Sequence, residues 1–104
     1  MKGCSWTRDR YGCLVRIYGL CTVADRALAE RSAQEIRDAV LIAVPAAYVE
    51  MISTSTEVCI CVSVSADDLA IFHGGPMHRA ACQRARMAAS YALDSCSWSK
   101  EMRK

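Results

Sequence analysis

The residues best suited to chemistry in this chain are thiols and imidazoles in its second half. His78 and Cys82 stand four apart in a stretch of helical spacing, so both project from one face, as zinc ligands on a helix do. Cys59 and Cys61 stand two apart in a strand-like run and also share a face. Together the four make a weak zinc candidate. Structural zinc sites usually draw paired ligands from tight turns at C-x₂₋₄-C spacing. None of the seven cysteines (Cys4, Cys13, Cys21, Cys59, Cys61, Cys82 and Cys96) forms such a pair. Free thiols that pack as small hydrophobes, with no metal and no cofactor, are therefore expected.

Two further groups could bind anions. His73-Gly74-Gly75-Pro76-Met77-His78-Arg79 puts glycines ahead of a helix start, where backbone N–H groups and the positive end of the helix dipole are exposed. It matches neither of the phosphate-loop patterns, so a plain helix corner is the expectation. Beyond it, Arg79, Gln83, Arg86 and Ser90 recur on one helical face, with Arg84 beside them. With Arg8, Arg10 and Arg16 near the N-terminus, these form a basic set that could touch phosphates or an acidic protein surface. Interleaved aromatic residues for base stacking are missing, and the net charge is only +2. The sequence shows no nucleophile elbow, no Cys/His/Asn signature and no H-E-x-x-H, so no enzyme is expected.

These side chains must be positioned by a small set of elements. Cys13 to Tyr18 alternates apolar and mixed residues and predicts a half-buried strand; Gly3–Thr7, if extended, completes a hairpin with it. Thr22 with Asp25 three residues on predicts a capped helix start, and Pro45 predicts its end near Val44. Ala29, Ala33, Ile36, Val40, Ala43 and Val44 form its apolar stripe, with Arg26–Glu30 and Arg31–Glu35 pairs outside. Tyr48 to Ile52 and Val58 to Val64 predict a second strand pair around the polar turn 53–56. In the second of these, Val58, Ile60, Val62 and Val64 face one way and Cys59, Cys61 and Ser63 the other.

A short helix is predicted over Ala66 to His73, then a longer one from Pro76 with Met77, Ala81, Ala85, Ala88 and Ala92 facing inward. The tail from about residue 96 is polar and is expected to be mobile. Cys4-Ser5-Trp6 is echoed by Cys96-Ser97-Trp98, a match too short to build on. The expected fold is a single α+β domain over 1–104, a two-layer sandwich of order ββαββαα. About four antiparallel strands would carry helices on one face. A ferredoxin-like arrangement is the main competitor.

The 104 residues include 16 alanines but one Phe and two Trp, which implies a thin core with close helix contacts. An apolar fraction of 53% excludes disorder. The longest apolar run, 39–49, is interrupted by Pro45 and is too short to span a bilayer. With no signal-like segment, a cytoplasmic location and no membrane contact are expected. Charge is uneven: residues 1–20 carry +3, residues 21–72 carry −5, and residues 73–104 carry +4. Size, mixed charge and missing motifs suggest a small non-catalytic protein-binding or regulatory protein, homodimeric, with another protein or complex as partner. Phage- or plasmid-encoded inhibitors of the anti-CRISPR kind have this general look. The alternative is a nucleic-acid-binding module built on the basic last helix and the N-terminal hairpin.

Overall fold

The computed structural model describes residues 2–8, 12–45, 47–63 and 76–102. The strands are β1 (Gly3–Arg8), β2 (Gly12–Tyr18), β3 (Tyr48–Ser53) and β4 (Glu57–Ser63). The helices are α1 (Val23–Ala43), α2 (Pro76–Ser95) and α3 (Ser97–Met102). All strand pairs are antiparallel, in the order β1-β2-β4-β3. The fold is α+β with the expected order ββαββαα, which excludes the ferredoxin-like βαββαβ. The last two helices are not the pair the sequence suggested. The helix expected over Ala66 to His73 lies outside the described residues, and α3 takes up the segment read as a polar tail.

Each boundary has a local cause. Gly19 ends β2 at φ 75°, a left-handed conformation that glycine adopts without a Cβ penalty. Thr22 Oγ1 accepts from the Asp25 amide at 2.9 Å, while Asp25 Oδ2 accepts from the Thr22 and Cys21 amides at 3.0 and 3.1 Å. This is the expected capping box. Lys2 bonds the same carboxylate at 2.8 Å and holds the Asp25 pKa below its ordinary value. At the far end, Val44 caps α1 just before Pro45. In the β3–β4 turn, the Thr54 side chain accepts from the Glu57 amide at 3.1 Å. The Arg26 guanidinium bonds Ser53 Oγ and the Thr54 carbonyl, which fastens the turn to α1.

Period-2 alternation on the strands meets period-3.6 stripes on the helices. Val15, Ile17, Val58, Ile60 and Val62 point to the helix layer and are buried. From α1, Ala29, Ala33, Ile36 and Val40 meet them; from α2 come Ala81, Cys82, Ala85, Ala89 and Leu93. Alanine on both helices lets them lie against each other and against the sheet. Ala43, expected on the stripe, is exposed at the last turn of α1.

Trp98 corrects the reading of a polar tail. It is the largest fully buried side chain, 1% exposed, and Cys96 beside it is equally buried. Two side chains of α1 hold the start of α3. Ser32, itself 0% exposed, accepts from the Trp98 amide at 2.6 Å and donates to the Leu28 carbonyl at 2.9 Å. Glu35 accepts from the Ser97 amide at 2.9 Å and from Ser97 Oγ at 2.6 Å. Glu35 thus faces α3, where the sequence suggested an outward pair with Arg31. Helix starts leave N–H groups without intrahelical partners, and here a neighbouring helix satisfies them.

Trp98→Ala should cost about 3–5 kcal/mol, a large share of the ~5–15 kcal/mol total typical of such domains. Urea unfolding followed by circular dichroism measures it. A loss below about 1 kcal/mol would show that α3 is not part of the core.

Candidate functional site

Helices cover one face of the sheet, and the opposite face is a surface built from cross-strand rows. The first row is Thr7, Leu14, Cys61 and Glu50. The second is Ser5, Arg16, Cys59 and Ile52, and a third brings Gly3, Tyr18 and Glu57 together. A Cβ on Gly3 would come within 3.0 Å of Tyr18 Oη, so the absence of a side chain lets the ring lie over β1. Ile52 and Tyr48 are exposed at one side of this face, 47% and 57%. Leu14, Tyr18 and Cys61 are half-buried. A sheet face in water normally alternates in larger polar or charged side chains, and this one is mostly small or apolar.

One ion pair organises the centre. Arg16 Nε meets Glu57 Oε2 at 3.2 Å, along the same face. Cys59 Sγ lies 3.5 Å from Glu57 Oε1 and is only 8% exposed beneath these neighbours. Burial pushes the Cys59 thiol above its ordinary pKa, against the opposing effect of Arg16. This thiol is therefore protonated near neutrality and is poorly suited to nucleophilic work.

The structure separates the four zinc candidates. Cys82 is 1% exposed inside the core, whereas Cys59 and Cys61 point away from it on the far side of the sheet. The backbone of His78 is in the first turn of α2, and its side chain is outside the described residues. Cys82 lies on the helix side of the sheet and Cys59 and Cys61 on the other, so these three thiols do not come together around one ion. Among the described residues no three His, Cys, Asp or Glu side chains gather where a metal could be held. Cys4, Cys21, Cys59, Cys61, Cys82 and Cys96 are free thiols.

The basic set does not converge either. Arg16 lies on the open sheet face and is paired with Glu57. Gln83 and Arg84 are exposed on α2, across the sheet from Arg16. Arg86 is half-buried and donates from Nη2 to Gln83 Oε1 at 3.2 Å. Arg8 closes β1 and Arg79 lies in the first turn of α2, with side chains outside the described residues; Arg10 lies outside them altogether, as do His73, Gly74 and Gly75. Arg16 and the α2 residues therefore belong to two surfaces separated by the sheet.

A cavity of about 350 Å³ opens at the start of α1, lined by Leu20, Cys21, Thr22, Val23, Arg26 and Ser55. Its polar groups are already engaged: Asp25 takes the amides of Cys21 and Thr22, and Arg26 is fastened to the β3–β4 turn. No described helix is long and apolar enough to cross a membrane. Comparison with protein-family models, curated proteins and solved structures gives no match.

The sequence set Cys59 and Cys61 on the face opposite Val58 and Ile60 and passed over Tyr48 and Ile52. These two alternate with Glu50, a period-2 signal that was legible.

Half-buried on the other side, Cys4 carries a pH dependence. Burial, with Cys96 nearby, pushes its thiol from 9.0 up to about 12. The folded chain keeps this proton where the unfolded chain releases it. The stabilisation is therefore complete below about pH 9 and is lost as pH rises through 9 towards 12. Urea midpoints should fall over that range, and less steeply in Cys4→Ala. Equal slopes in the two proteins would show that Cys4 is not buried in this way.

Proposed function

We propose that this chain is a small, non-catalytic binding and regulatory protein that docks its open sheet face on another protein or protein complex. The observation that carries the reading is the one-sided layering. All the described helices lie on one side, while Leu14, Tyr18, Ile52 and Cys61 line the other around the Arg16–Glu57 pair. The fitting partner presents an apolar surface with charges of both signs placed against Arg16 and Glu57. Mixed charge of this kind sets orientation and selects partners more than it adds affinity. Inhibition of a host complex by a phage- or plasmid-encoded protein, of the anti-CRISPR kind, is the class of activity that suits such a scaffold. Free thiols at Cys4, Cys21, Cys59, Cys61, Cys82 and Cys96 favour a reducing compartment, and hence the cytoplasm.

The second reading is a nucleic-acid-binding module. Exposed Gln83 and Arg84 favour it, and it predicts binding that weakens steeply with salt.

Comparative capture from the native cell separates the two. Partners held by the wild type should be lost with Cys61→Arg, which places a bulky charge in the middle of the face, and retained with Arg84→Glu. Retention of the same partners by a folded Cys61→Arg protein rejects the open face as the docking surface. Loss with Arg84→Glu, together with sensitivity to nuclease, selects the nucleic-acid reading.

A further inference from the structure

The sheet has two edges, and they differ. On β1 the exposed side chains are Ser5 and Thr7, while Cys4 and Trp6 turn half-buried towards the core. On β3 every side chain except Val49 is exposed. Tyr48, Met51 and Ile52 are 57%, 44% and 47% exposed, so apolar groups emerge on both faces of this strand. β3 pairs with β4 on one side, and no described strand pairs with it on the other. Natural edge strands are usually protected by lysine, proline, a bulge or a covering element. β3 has no lysine, no proline and a single charge, Glu50.

The helix above this edge indicates what fits there. α1 runs back over β3: Arg26 and Glu30 meet Ser53 at one end, and the short connection 44–47 joins α1 to Tyr48 at the other. Glu30 Oε1 accepts from Ser53 Oγ at 3.3 Å, so the Glu30 flank of α1 looks towards β3. Arg37 is seven residues on, within about 20° of Glu30 around the helix, and is exposed on the same flank. This flank therefore carries Glu30, 3.9 Å from Arg26 of the same helix, and Arg37 about 10 Å further along the edge.

We propose that β3 pairs antiparallel with β3 of a second copy, making a continuous eight-stranded sheet with a twofold axis at Met51. A twofold axis perpendicular to the sheet keeps both α1 helices on one side and makes them antiparallel. From Ser53 to Met51 is about 7 Å along the strand, and from Glu30 to the midpoint of Glu30 and Arg37 is about 5 Å along the helix. The axis at Met51 thus passes near that midpoint and brings Glu30 opposite Arg37 of the second copy, and Arg37 opposite its Glu30. In this register Glu50 faces Ile52 of the second copy. The neighbouring register, centred on Glu50, would set two carboxylates directly opposite each other, which is destabilising. The charge pattern is self-complementary about one axis, which is what an isologous interface requires. This edge is distinct from the open face proposed to bind other proteins.

Sedimentation equilibrium and light scattering on the full chain test the pairing. The wild type should approach twice the 11.4 kDa of one chain. Arg37→Glu should raise the dissociation constant about tenfold or more by setting like charges opposite, and Glu30→Arg combined with Arg37→Glu should restore it. Met51→Lys, which places two lysines at the axis, should give a monomer with unchanged circular dichroism. If Met51→Lys fails to fold, the two charge variants, both at helix-surface positions, still decide the matter. A wild type that stays monomeric at millimolar concentration overturns the proposal. So does a dimer insensitive to Arg37→Glu and Met51→Lys, or one broken by Cys61→Arg alone, which would place the contact on the open face.

Discussion

The hydroxyl of Ser32, enclosed between α1 and α3, is the contact on which much of the remaining packing depends. Its position within α1 lets it accept the Trp98 amide while donating back to the Leu28 carbonyl. Glu35, three residues further and on the same flank, takes the Ser97 amide and hydroxyl. These bonds satisfy helix-start amides that could not be buried bare. They also fix where the indole of Trp98 enters. The core needs that bulk. Its helices meet through alanines, and most of the remaining buried side chains are valine, isoleucine and cysteine. Small side chains allow close approach but supply little apolar area, so one aromatic ring contributes disproportionately.

With the helices drawn to one side by this packing, the other side of the sheet is left as a surface. The same alternation that sends Val58, Ile60 and Val62 inward sends Cys59 and Cys61 outward. The thiols are therefore divided between two environments. Cys82 and Cys96 are core filling, and Cys59 and Cys61 are part of a flat face crossed by the Arg16–Glu57 pair. Burial raises the pKa of both Cys4 and Cys59, in keeping with thiols that pack and do not react.

Local sequence signals read well where the physics is local. The Thr22–Asp25 box, the Pro45 stop, the glycine at the end of β2 and the polar β3–β4 turn each depend on residues within a few positions. The alternation of β2 and β4 named their inward faces. Misreadings fell where a long-range partner decided the outcome. Ser97 and Ser99 made the tail look polar, but their hydroxyls are absorbed by Glu35 and the Leu93 carbonyl. Glu35 looked like a surface partner for Arg31 until α3 approached it.

Composition and periodicity by themselves determined the two antiparallel hairpins, the capped first helix, the long helix from Pro76 and the inward stripes, since each follows from backbone geometry and nearest neighbours. Only the tertiary structure decided which edge of the sheet stayed apolar, and that a serine and a glutamate of α1 would receive a helix more than sixty residues away. Those outcomes depend on how layers stack, and contacts between distant segments leave no periodic trace in a single sequence.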